Sequence, residues 1–244
     1  MNFLSVEKEA LELFKRLASE VLELEWICNN GLIAAAVTED IMYWMVKSGL
    51  KAFKVGIESG NDKVLTKIKK PTTKDKLWRA GVLFKKYSDV FASGNFILGF
   101  PQETFGEMLD TYNFANELNW DWVSYYLCQP LKGTEMFSAF QALGDERCDY
   151  ENYDKTLNLG RSAARGEFGH HKAYHSQSVQ HEVILTGCDI FNLDKNLVPS
   201  KEQVKEIWFA FNMITNFIQN PIFLPSGNPS KIVRWFEAIS GAYP

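Results

Sequence analysis

Three stretches of this 244-residue chain carry polar side chains, glycines and prolines at positions suited to chemistry. They are F-K-V-G-I-E-S-G-N-D from Phe53 to Asp62, N-F-I-L-G-F-P-Q-E-T from Asn95 to Thr104, and D-W-V-S-Y-Y-L-C-Q-P-L-K-G-T-E from Asp121 to Glu135. Each opens on an apolar run and closes on groups a ligand could meet. Enzymes built as β/α barrels gather such groups where the C-terminal ends of the strands converge. A second constellation is histidine: His170, His171, His175 and His181 lie close together, with Cys188 and Asp189 downstream. On a helix His171 and His175 would share one face as metal ligands. Gly166 and Gly169 favour a solvated loop there instead. No nucleophile elbow, Walker loop or dinucleotide fingerprint is present.

The elements that must position these groups follow from periodicity. Residues 6–24 place Val6, Ala10, Leu13, Phe14, Leu17, Val21 and Leu24 at helical steps, with Ser5 as a candidate N-cap. Glu25 to Asn29 predicts a short strand, and Thr38 begins a helix that Gly49 stops. In the next strand Phe53, Val55 and Ile57 alternate with Ala52, Lys54, Gly56 and Glu58. In a barrel the apolar set lies under the helices and the other set points inward; in a half-exposed strand Lys54 and Glu58 are merely solvated. Helices are expected after Asn61, from Thr72 or Thr73, and from Thr104, with strands at Val90–Leu98 and Trp122–Cys128. Strands alternating with helices of this length predict a parallel sheet with right-handed crossovers.

After Phe137 the rhythm stops, and residues 138–181 are polar. Pro199-Ser200 then starts a long helix with the stripe Val204, Ile207, Trp208, Phe211, Ile214 and Phe217, which must cover the outside or the bottom of the barrel. A short final helix is expected over 230–241. The expected organisation is therefore an incomplete (β/α) barrel over 1–137 and a loop-rich, helical extension over 138–244.

Composition narrows the function. With 46% hydrophobic and 23% charged residues the chain is an ordinary globular one. A formal net charge of −4 gives no electrostatic footprint for nucleic acid. Lys67, Lys69 and Lys70 form only a small basic turn. No apolar run is long enough to span a membrane, and Glu7, Lys8, Glu9 and Glu12 rule out a signal peptide at the N-terminus. Cys28, Cys128, Cys148 and Cys188 are scattered without C-x-x-C spacing, which suits a reducing, cytoplasmic setting.

The ordered strand-end motifs resemble the core of radical S-adenosylmethionine (radical SAM) enzymes, of the kind often joined to a cobalamin-binding domain. W-I-C-N-N-G-L (26–32) is similar to the third strand and loop of that barrel, G-I-E-S-G-N-D (56–62) to the fourth strand end, F-I-L-G-F-P-Q-E-T (96–104) to the fifth and Q-P-L-K-G-T-E (129–135) to the sixth. The resemblance implies S-adenosylmethionine bound beside a [4Fe–4S] cluster and release of a 5′-deoxyadenosyl radical toward an unknown substrate. It implies that Glu58 and Ser59 lie near the ribose and methionine part of the cofactor, and that Gly56 and Gly60 allow close approach. Asn95 and Ile97 would flank the adenosyl group, Gly99 and Pro101 would fix the exit of that strand, and Tyr126, Cys128 and Gln129 would pass the adenine edge. The C-x-x-x-C-x-x-C loop that holds the cluster belongs upstream of Met1, and Cys28 cannot replace three convergent ligands. Ile33 and Ala35 stand where relatives often carry Arg and Asp. A fragment that is inactive alone and retains no cofactor by itself is thus expected. The edge of the strand at Glu25–Asn29 would be covered by a partner chain or a missing N-terminal segment. Two further functions fit the sequence: a non-catalytic remnant or subunit that binds a nucleoside or protein partner through the same face, and a metal enzyme using the histidines.

Overall fold

The computed structural model describes residues 6–20, 24–145 and 192–218. In chain order it contains α1 (Glu7–Ser19), β1 (Trp26–Leu32), α2 (Glu39–Lys47), β2 (Leu50–Glu58), α3 (Asp62–Lys67), α4 (Lys74–Lys85), β3 (Phe91–Leu98), α5 (Phe105–Leu118), β4 (Trp122–Leu127), α6 (Glu135–Ala142) and α7 (Lys201–Met213). The helices start where side chains can hold the first free N–H groups. Thr38, Asn61, Thr73 and Thr134 each accept from the first turn of the helix they precede. Thr104 and Ser200 form full capping boxes with Glu107 and Gln203. Helix α1 differs from expectation. Val6 occupies its N-cap without a side-chain bond, and the Ser5 candidate lies outside the described residues. Strand β1 is longer than expected because pairing with β2 continues, irregularly, to Leu32 opposite Val55.

The four strands are parallel and lie in the order β1-β2-β3-β4. Right-handed crossovers between neighbours taken in sequence put the connecting helices α2, α4 and α5 on one face, which is the wall of a barrel rather than a doubly wound sheet. The helix-side face is aromatic. Phe53 meets Phe84 of α4 edge-on at 4.7 Å, and Phe84 lies 5.9 Å from Trp120. Phe96, Tyr125 and Phe211 continue that layer at 5.6 Å per step. On the opposite face Lys54, Gly56, Glu58, Asn95, Ile97, Ser124 and Tyr126 remain half-buried. This inner face is what an incomplete (β/α) barrel leaves open.

Helix α7 belongs to the same core, with Val204, Ile207, Ala210 and Phe211 buried in it. The expected stripe is real, although the Phe217 side chain lies outside the described ones. Its position is more specific than a cover for the barrel bottom. Val123 and Tyr125 of β4 turn their peptide groups away from β3, toward what would be a bare sheet edge. Asn216 Oδ1 accepts from the Val123 N–H at 2.9 Å and Asn216 Nδ2 donates to the Val123 carbonyl at 2.6 Å. Asn212 repeats the pairing with Tyr125 at 3.1 Å in both directions. The spacings match: two strand residues rise about 6.6 Å and four helical residues about 6 Å. The two amides therefore act as peptide units of an absent fifth strand.

Candidate cofactor-binding face

Because β2, β3 and β4 are adjacent, their C-terminal ends form one rim. The register sets Gly56 beside Asn95, Asn95 beside Ser124, and Ile97 beside Tyr126. Partners in a ladder project to the same face, so these positions share one face of the sheet. Glu58 joins them despite a register slip after Gly56. A Cβ on Gly56 would lie 3.1 Å from Glu58 Oε1 and 3.7 Å from Lys70 Nζ, so the bare glycine makes room for the carboxylate to fold back over the inner face. Lys70 Nζ donates to that oxygen at 2.8 Å. Glu58 has φ +70°, a conformation costly for any residue with a Cβ. Backbone strain of this kind collects where a side chain must be aimed.

Two acceptors at the rim lack partners. Asn95 Oδ1 and Gln129 Oε1 are buried and make no hydrogen bond. A bare buried amide oxygen costs about 1–3 kcal/mol, so a pair of them marks a place for the donors of a ligand. Gln129 reaches this rim because the Cys128 N–H donates to the Leu98 carbonyl, carrying the ladder past β4. Ile97 supplies an apolar wall and packs against the cluster of Val64, Phe100, Cys128 and Phe140. Burial pushes the Tyr126 hydroxyl above its ordinary pKa, and a hydrogen bond with Ser124 opposes that shift.

Other expected site residues have different neighbours. Ser59 is fully buried; its Oγ bonds Thr111 Oγ1 at 3.0 Å and accepts from the Asn61 N–H at 3.1 Å. A Cβ on Gly60 would stand 2.5 Å from the Phe114 Cβ. Ser59 and Gly60 thus seat the loop after β2 on α5. Gly99, at φ +80°, turns the chain out of β3 as expected. What holds that turn is a residue sequence reading missed. Glu103 is 2% exposed, and its Oε2 accepts from the Gly99 and Phe100 N–H groups at 2.7 and 3.0 Å. Desolvation pushes its pKa up to about 8, against the opposing pull of those two bonds. An acidic residue just before a helix reads as ordinary N-terminal charge; only the folded loop buries it.

The small basic turn is structural too. The Lys67 ammonium donates to the Pro101 carbonyl, Lys69 pairs with Glu135 of α6, and Lys70 holds Glu58. Three lysines from one turn thus tie together the ends of β2, β3 and the segment after β4.

Residues 3–115 match the family model of the Radical SAM superfamily, and over this stretch the chain is similar to that superfamily. It is 29% identical over 131 residues to an uncharacterised methyltransferase of Pyrococcus horikoshii, covering 54% of this chain and 28% of that protein. It is 27% identical over 164 residues to the anaerobic magnesium-protoporphyrin IX monomethyl ester cyclase of Rubrivivax gelatinosus, covering 66% of this chain and 29% of that one. The chain thus spans under a third of the length of either relative. Among solved structures, coproporphyrinogen III oxidase of Escherichia coli, a radical SAM enzyme, aligns with a TM-score of 0.45 at 14% identity over 64% of this chain and 37% of that one. A cobalamin-dependent S-adenosylmethionine radical enzyme aligns with a TM-score of 0.42 at 10% identity, over 96% of this chain and 40% of that one.

Complete radical SAM enzymes use S-adenosylmethionine and a [4Fe–4S] cluster. The rim offers bare acceptors and an apolar wall. The cluster does not fit the described residues: Cys28 is buried under the helices opposite Phe53, Cys128 sits in the small apolar cluster, and no group of three His, Cys, Asp or Glu could hold a metal. Cys148, Cys188, the four histidines and Asp189 lie outside the described residues, as does the helix expected over 230–241. Among the described residues no helix is long and apolar enough to cross a membrane.

Proposed function

We propose that this chain forms the adenosyl-binding part of a radical SAM catalytic core. The observation that supports this reading best is the common rim of β2, β3 and β4, where Glu58, Asn95, Ile97 and Gln129 converge with two bare acceptors. Asn95 and Gln129 would take N–H or O–H donors of the nucleoside, Ile97 would flank the base, and Glu58 would receive hydroxyl or ammonium donors. When bound, the cofactor supplies the 5′-deoxyadenosyl group. This chain's share is to orient that group and keep water away from it.

The cluster ligands come from elsewhere in this reading. β1 has β2 as its one strand neighbour among the described residues. A segment with a three-cysteine loop would add its strands at that edge, while Asn212 and Asn216 close the opposite one. The described chain is then a piece of a larger cytoplasmic enzyme whose substrate other segments select. Reading the gene upstream of Met1 tests this. An in-frame C-x-x-x-C-x-x-C, or a neighbouring gene that encodes one, supports the reading. A stop codon directly upstream with no such neighbour contradicts it.

A further inference from the structure

One charge on the inner face is left over. Lys54 lies halfway along β2, on the face that also carries Gly56, and its Cα partner on β3 is Ser93. Lys54 is half-buried, and among the described residues no ion pair or hydrogen bond engages its ammonium. Ser93 is 1% exposed, and its hydroxyl has no partner either. The carboxylate of this face, Glu58, stands two rungs further along β2 and is committed to Lys70 at 2.8 Å. A lysine and a serine thus stem from neighbouring positions of one ladder on the same face, both desolvated and both unsatisfied among the described residues. The desolvation is strong enough to lower the Lys54 pKa. A neutral neighbour cannot offset a half-buried ammonium, whereas an anionic oxygen satisfies the ammonium and the hydroxyl together.

We propose that Lys54 and Ser93 form an anion subsite inside the barrel, below the adenosyl rim, that receives a carboxylate or phosphate group of the substrate. Assigning the anion to a substrate rests on the radical SAM reading; the subsite itself does not. Over Gly56, the next inward position along β2, lie the folded-back Glu58 carboxylate and the Lys70 ammonium, so that ion pair stands between this subsite and the rim. Lys54 would then set which end of the substrate faces the rim, making it a specificity-determining residue.

The test is a pair of NMR titrations of the isotope-labelled 244-residue chain, one with inorganic phosphate and one with acetate, at constant chloride and without S-adenosylmethionine. The expected result is saturable shift change at the Lys54 and Ser93 amides with at least one anion. The stronger anion distinguishes a phosphate from a carboxylate group. Lys54→Met should weaken binding about tenfold or more, the loss of one charge-assisted contact. Lys54→Arg should keep it within a few-fold, and Ser93→Ala should give a smaller loss than Lys54→Met. Lys54→Met removes a desolvated charge, so its urea midpoint should equal or exceed that of the wild type. Absence of saturable shifts at these residues with both anions overturns the proposal, as does undiminished binding by a folded Lys54→Met chain. S-adenosylmethionine is in neither arm, so failure of the radical SAM reading leaves this result untouched, and the converse holds.

Discussion

The sheet edge at β4 gives the sharpest prediction about how the site is held in place. Asn212 and Asn216 look equivalent in sequence, but their loss should not cost the same. The Tyr125 carbonyl accepts from both Asn212 Nδ2 and the Trp208 indole. Asn212→Ala therefore leaves one buried group, the Tyr125 N–H, without a partner. Among the described residues the Val123 N–H and carbonyl have Asn216 alone, at 2.9 and 2.6 Å. At about 1–3 kcal/mol per orphaned buried group, Asn212→Ala should cost about 2 kcal/mol and Asn216→Ala about 4 kcal/mol. The better helix propensity of alanine returns about 0.7 kcal/mol in each case. Asn216→Asp should be at least as damaging as alanine, since it keeps the acceptor for Val123 N–H but sets a carboxylate against the Val123 carbonyl. Urea unfolding gives the stabilities, and hydrogen exchange gives the location: the Val123 amide should lose protection in Asn216→Ala and keep it in Asn212→Ala. A cost for Asn216→Ala no larger than for Asn212→Ala, with the Val123 amide still protected, would refute the idea that these amides replace a strand.

Two further outcomes follow from the rim. The folded-state pKa of Glu103 is pushed up to about 8, above its value in the unfolded chain, so the folded form holds the extra proton between those values. Stability from this group is full in acid and falls by about 1.4 kcal/mol per pH unit as pH rises through that window. Glu103→Gln should flatten that slope in urea titrations across pH while preserving the turn at Gly99; an unchanged slope would count against a buried neutral carboxyl. In a version of the enzyme that carries its cluster, Glu58→Ala should weaken S-adenosylmethionine binding about tenfold, the loss of one charge-assisted bond, and leave the iron–sulfur spectrum alone; unchanged cofactor affinity removes Glu58 from the site.

Much of the barrel could be read from pattern. Alternation in Phe53, Val55 and Ile57 fixed which face meets the helices, and Thr38, Thr104 and Ser200 cap the helices they were expected to cap. Those signals are local, arising within a few residues. The rim was legible as far as Gly56, Asn95, Ile97 and Gln129 because strand ends in order must be neighbours. What stayed hidden depends on contacts between distant segments. The packing of Ser59 and Gly60 on Thr111 and Phe114 of α5 has no sign in the local sequence. Lys67, Lys69 and Lys70 read only as a small basic turn until each is seen to meet an acceptor on a different strand end or helix. Asn212 and Asn216 interrupt an apolar stripe at a four-residue interval. That interval is the one sequence sign that a helix faces an open strand edge.

The central claim is that the ends of β2, β3 and β4 make one adenosyl-binding face. Amide shift mapping of the labelled chain with S-adenosylhomocysteine tests it most directly, at millimolar ligand because no iron anchors the methionine end. The predicted result is a set of perturbations centred on Gly56, Glu58, Asn95, Ile97 and Gln129 that Ile97→Lys abolishes. Perturbations confined to residues away from this rim, or none at saturating solubility, would contradict the account.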